Sequence, residues 1–110
     1  MQGGELNNNE RGIAMIELKK TTIICAYIES IEIGRGCVTD GRMHSVYVAE
    51  GNRNQGIGSE IVNALIAEGG KSLFVAKKNK GAIKFFEKSG FEKVSDGKKT
   101  GYVDMRIKDG

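Results

Sequence analysis

The chain contains no proline, one histidine and two cysteines in 110 residues. No apolar run approaches the roughly 18 residues that cross a bilayer, which argues against a membrane span. Without proline, a proline-rich linker and a collagen-like repeat are both excluded. Cys25 and Cys37 form no C-x-x-C pair, and with His44 alone they offer no set of metal ligands. Cys25 lies in an apolar run and reads as a reduced core thiol. The polar start, Met1 to Gly12, has neither the basic nor the apolar part of a signal peptide, so a cytoplasmic protein with a flexible first dozen residues is expected. The length suits one domain, spanning 1–110, with one core.

Glycine, by contrast, is abundant, at 16 residues, and marks turns or close backbone approaches. Seventeen Lys and Arg against 14 Asp and Glu leave a formal charge of only +3, but the distribution is uneven. Residues 71–99 hold nine lysines and three acids, a local excess of six, while the remainder is net negative by three. One surface should therefore be positive, as suits an anionic ligand or a solvated face. No basic motif interleaved with aromatics accompanies it, so nucleic acid is not expected as a partner.

Ile13–Leu18 reads as a short strand, and the β-branched run Ile23–Ile33 as a longer one bent near Ser30. Residues 34–41, with an Asp40-Gly41 pair, read as a loop. Arg42–Ala49 reads as a third strand, whose alternation puts His44, Val46 and Val48 on one face. A polar loop, Glu50 to Gly58, then feeds a segment with apolar residues at Ile61, Val62, Leu65 and Ile66, the spacing of an amphipathic helix. A short strand over Leu73–Ala76 follows. A helix opened by Asn79 carries Ala82, Ile83 and Phe86 on one face, and two strands, Phe91–Val94 and Tyr102–Ile107, flank a polar turn. The order βββ-αβαββ is that of an α/β domain around a mixed, mostly antiparallel sheet flanked by two helices.

Strand, glycine-rich loop and helix in succession form a candidate phosphate site, because free N–H groups and the helix dipole favour an anion there. Spacing decides which kind. A Walker A loop from Gly51 to Gly56 would require Lys and Ser or Thr where Ile57 and Gly58 stand. A dinucleotide fingerprint from Gly56 meets Ile61 where a small residue belongs, and the chain is too short for two mononucleotide halves.

Arg53-Asn-Gln-Gly-Ile-Gly58 instead matches the (R/Q)xxGx(G/A) motif of the GCN5-related N-acetyltransferases. Asn79-Lys-Gly-Ala-Ile-Lys-Phe-Phe-Glu-Lys-Ser-Gly-Phe91 resembles that family's "N..A..FYEK.GF" helix and turn. The resemblance covers residues 42–95. Glu50 replaces the proline usual after the strand, and no amphipathic helix precedes residue 42, so the amino-terminal part is reduced. The resemblance implies an acetyl-CoA-dependent N-acetyltransferase with an amine acceptor. A protein amine suits the more open cleft that a trimmed front leaves. Cofactor contacts fall on Tyr47, Val48, Arg53, Asn54, Gln55, Gly56, Ile57, Gly58, Ser59, Asn79 and Phe86. Loop amides would cradle the pyrophosphate, and pantetheine would pair with backbone near Tyr47 and Val48, with lysines of 71–99 assisting at the phosphates.

For catalysis, the family's base position matches Arg42 or His44. Arg42 cannot accept a proton, whereas an imidazole titrates near neutrality. Glu29 or Glu32 acting through water is the alternative. The Val48 backbone N–H would stabilise the oxyanion. Phe86 stands where the family's tyrosine acid is expected, leaving solvent or Tyr27 to protonate the thiolate, or a CoA-binding or regulatory module with little or no catalysis. The partly uncovered sheet also predicts a homodimer, with Ile31 and Ile33 at the contact.

Overall fold

The computed structural model describes residues 15–95 and 101–108. Six strands form one sheet: β1 (Thr21–Ile28), β2 (Ile31–Thr39), β3 (Arg42–Val48), β4 (Ser72–Ala76), β5 (Phe91–Ser95) and β6 (Tyr102–Ile107). Helix α1 (Ile57–Ala67) joins β3 to β4, and α2 (Lys80–Lys88) joins β4 to β5. The spatial order is β1-β2-β3-β4-β6-β5, and every neighbouring pair is antiparallel except β3 and β4. The expected βββ-αβαββ order is thus present, but its first two strands are different segments.

Residues 15–20 form no strand, while Ile13 and Ala14 of the expected first strand lie outside the described residues, as do Met1–Gly12 and 96–100 of the polar turn. The run read as one strand over 23–33 is folded into a hairpin. Glu29 (φ 49°) and Ser30 (φ 70°) both take the left-handed conformation, and Ile28 pairs with Ile31 across this two-residue turn. Such a turn matches the twist of the strands it joins. The segment read as loop, 34–39, is the remainder of β2. Its glycines serve packing: a Cβ at Gly36 would lie 2.7 Å from Leu65 Cδ1, and one at Gly34 would lie 2.9 Å from the Tyr47 carbonyl. A side chain at Gly36 would press on α1, and one at Gly34 would press on the β3 backbone as well as on Ile61 of α1.

Both helices cover one face. Ile61, Val62 and Leu65 of α1 and Phe86 of α2 share one core with Val38, Met43, Leu73, Val75, Phe91, Val103 and Met105. The amphipathic spacing of α1 therefore points where the sequence indicates. Asn79 caps α2, its Oδ1 accepting the Ala82 N–H at 3.0 Å. Among the described residues no helix covers the other face, and none is long and apolar enough to cross a membrane.

One irregularity in β3 reassigns its faces. Arg35 pairs with Tyr47 and Cys37 with His44, so Ser45 and Val46 together oppose Gly36, with Ser45 at φ 56°. This bulge inserts one extra residue and inverts the alternation. Met43, Val46 and Val48 pack toward the core, whereas His44 lies on the uncovered face. The expectation that His44 shares a face with Val46 and Val48 is therefore corrected.

Candidate active site

β3 and β4 run parallel and pair at a single register point, Arg42 with Ser72. Beyond it they separate toward their C-terminal ends, leaving backbone groups on the facing edge of β3. The Ala49 N–H donates to the Ile33 carbonyl on β2 at 2.7 Å. Since successive amides of an extended strand point to opposite sides, the Val48 N–H is directed into the gap toward β4. The Val48 carbonyl, on the same side, accepts Arg53 Nε–H at 2.9 Å, which ties the glycine loop back to the strand end.

The loop reaches α1 through two left-handed residues, Asn54 (φ 64°) and Gly56 (φ 81°), the latter being the N-cap. No side chain caps this helix. The N–H groups of its first turn, from Ile57 onward, have no partner within the helix, and the positive end of its dipole faces the same way. No atom lies within 4 Å of where a Gly56 Cβ would stand, so the space above the loop is open. At Gly58 a Cβ would come within 3.3 Å of the Phe85 ring.

These elements surround a cavity of about 660 Å³, bounded by Val46, Tyr47 and Val48 on β3, by Arg53, Asn54, Gly56, Gly58 and Ser59 of the loop and helix start, and by Asn79, Gly81, Ala82 and Phe85 at the head of α2. Its size is that of a site for an organic ligand. Eight expected contact residues, Tyr47, Val48, Arg53, Asn54, Gly56, Gly58, Ser59 and Asn79, line it together. Gln55 is exposed on the loop outside the lining, and Ile57 is half-buried against the core. Phe86 points into the core, edge-on to Phe85 and Phe91, and its neighbour Phe85 presents its ring to the cavity. Phe85 was not singled out from the sequence, where two adjacent phenylalanines carry no mark of which turns inward. Arg53 is the one cation of the lining; no described lysine contributes.

His44 is exposed on the other face, beside a second cleft of about 540 Å³ that also includes Ser45, Arg42, Phe74 and Tyr102. Its Nε2 is 3.0 Å from Thr39 Oγ1 and its Nδ1 is 3.2 Å from Ser45 Oγ. Glu32 accepts two N–H bonds from Arg35, at 2.7 and 3.0 Å, and these hold its carboxyl below the usual carboxylate range. Glu29 occupies the hairpin turn, and Tyr27 is exposed near the end of β1.

A glycine loop at a helix head, beside a parted parallel strand pair in a mostly antiparallel sheet, defines a protein built to hold an anionic ligand against an open strand edge. Residues 4–91 match the model of the acetyltransferase (GNAT) family, and the chain belongs to that family. Solved structures share the fold. PH1933 from Pyrococcus horikoshii OT3 superposes with a TM-score of 0.63 at 23% identity, over 78% of this chain and 64% of that one. Naa50 from Arabidopsis thaliana, in complex with the bisubstrate analogue CoA-Ac-MVNAL, gives 0.62 at 22% identity, over 78% and 72%. The PaiA N-acetyltransferase from Thermoplasma acidophilum, in complex with coenzyme A, gives 0.66 at 16% identity, over 93% and 65%. The chain thus spans slightly less than two thirds of PH1933 and PaiA. No curated protein matches it in sequence.

Proposed function

We propose that the chain is an N-acetyltransferase that takes acetyl-CoA as acetyl donor and an amine, such as a protein amine, as acceptor. The observation that carries this reading is the juxtaposition of the uncapped α1 head with the Val48 N–H in the gap between β3 and β4. The residues present fit the cofactor: open space over Gly56, first-turn amides for a pyrophosphate, and Val46, Val48 and Phe85 for an apolar arm. Bound there, acetyl-CoA would supply an activated thioester.

The chain would then bind, orient and move a proton. Amides from Gly56 to Ser59 hold the phosphates, with Gln55, Ile57 and Arg53 maintaining the loop. Backbone at Tyr47 and Val48 aligns the pantetheine. The Val48 N–H donates to the carbonyl oxygen as negative charge develops on it. His44 stands four residues earlier, about 13 Å of extended strand. It would therefore accept the proton of the attacking amine only through a chain of several waters, because two hydrogen bonds through one water reach about 6 Å. With Phe86 lacking a hydroxyl, solvent or Tyr27 returns a proton to the leaving thiolate. Release of free thiol from acetyl-CoA in the presence of amines tests the reading. Binding without turnover over a broad amine panel would favour the second one, a cofactor-binding regulatory module, which rests on Phe86 being part of the core.

The same proposal includes a homodimer in the cytoplasm. β1 is an edge strand, and Ile23, Tyr27, Ile28 and Ile31 are exposed along it and its hairpin, whereas Ile33 is buried and is not available for the contact. Sedimentation should give a dimer at tens of micromolar that Ile31→Glu converts to monomer; a wild-type monomer would refute it.

A further inference from the structure

At the opposite end of the sheet from the glycine loop, the residues facing the uncovered side form a row across three strands. Arg42 on β3 is in register with Ser72 on β4, which is in register with Arg106 on β6. With strands about 4.8 Å apart, the two arginines rise roughly 10 Å from each other on either side of a small hydroxyl residue. Lys71 adds an ammonium at the rim of the same concavity, which has a volume of about 390 Å³.

The charges in this concavity are poorly matched. Lys71 and Arg106 make no ion pair among the described residues, although Glu92 stands opposite Arg106 on β5. Asp40, also in the lining, is 3.7 Å from the Lys19 ammonium. Arg42 lies over the Phe74 ring at 4.0 Å, with its Nη1 3.7 Å from Asp104 Oδ1. That separation is too long for a hydrogen bond, and both atoms are buried without any other partner. Setting Asp104 against Arg42, Asp40 against Lys19 and the facing Glu92 against Arg106 leaves the Lys71 ammonium unneutralised and Arg106 matched only across an exposed strand pair. Like charges held this close repel unless an anion joins them.

We infer that Arg42, Ser72, Arg106 and Lys71 form a binding site for a phosphoryl dianion, separate from the cofactor cradle. Three cationic groups and a hydroxyl line one concavity, more donors than the two oxygens of a carboxylate can use and a number that the three oxygens of a phosphoryl group can. The site lies about 20 Å of extended strand from Val48, so a small acceptor cannot span both. Its ligand is therefore a separate molecule, either free phosphate or the phosphate monoester of a metabolite.

Amide NMR on the wild-type chain at constant ionic strength tests this directly. Inorganic phosphate should give saturable shifts at Lys71, Ser72 and Arg106. In Arg106→Gln the affinity should fall about tenfold or more, as expected for loss of one charge-assisted contact. Lys71→Gln, on an exposed position, should also weaken binding, and it replaces Arg106→Gln should that variant lose its dispersed spectrum. Glycerol phosphate binding more tightly than phosphate identifies a monoester as the ligand, and the reverse identifies free phosphate. Shifts confined to residues 56–59, no saturation, undiminished affinity in the informative variant, or succinate binding as tightly as phosphate would each overturn the assignment. None of these outcomes depends on whether acetyl-CoA is turned over.

Discussion

Replacing Gly56 with valine separates the loop's role in binding from its role in folding. Gly56 has φ 81°, a conformation in which a β-branched residue carries strain of roughly 1–3 kcal/mol. No atom beyond the chain neighbours lies within 4 Å of the added Cβ, so the Cβ itself brings no clash to add to that figure. For a domain of this size each kcal/mol lowers Tm by about 4–8 °C, which a thermal melt resolves easily. The new methyl groups occupy the space over the first-turn amides, so acetyl-CoA affinity should fall below detection in calorimetry while the far-UV spectrum is preserved. Gly51→Ala is the control. Its Cβ also meets nothing, its φ is not left-handed, and it lies outside the cavity lining, so it should change stability by less than about 0.5 kcal/mol and leave binding intact. A folded Gly56→Val protein that binds acetyl-CoA as wild type does would refute the cradle.

His44→Ala should leave acetyl-CoA affinity unchanged and lower turnover, with a deficit that shrinks at high pH as the acceptor amine deprotonates unaided; a normal rate at all pH values removes His44 as the base. Gly36→Val should destabilise the fold by about 1–3 kcal/mol in urea unfolding, because its Cβ falls 2.7 Å from Leu65 Cδ1 and 3.2 Å from Ile61 Cγ2, and a neutral result would contradict the packing of α1 on β2. Glu32→Gln should lower Tm most above the ordinary carboxylate range. The Glu32 carboxyl is lowered in the folded chain, so the stability it contributes is present at neutral pH and fades as pH falls through that lowered value. A deficit that persists in acid would point to packing instead of the Arg35 pair.

The parts of the fold that the sequence made legible are those where one local rule governs. Apolar spacing marks α1, Asn79 marks the start of α2, and the Asp40-Gly41 pair marks a turn. The parts that were not legible are those where tertiary contacts override local chemistry. Glu29 and Ser30 are unusual residues for two successive left-handed positions, so the run 23–33 reads as one strand bent near Ser30 and not as the tight hairpin it forms there. Gly34 and Gly36 read as loop because their purpose, admitting α1 against β2, depends on residues some 25 positions later. The bulge at Ser45 has no sequence signal, and it alone moves His44 to the far face. At the site, the loop and Asn79 are recognisable because backbone geometry demands glycine and a capping side chain there. The choice between Phe85 and Phe86 is made by the core.

The central claim is that the Gly56–Ser59 turn and the Val48 amide together hold acetyl-CoA. It is tested most directly by titrating acetyl-CoA into the folded wild-type chain and following backbone amides by NMR. The account predicts one saturable site, with the largest shifts at Gly56, Gly58, Ser59 and Val48, and little change along β1. Saturable shifts elsewhere on the sheet, or none at all in protein with a dispersed spectrum, would contradict it.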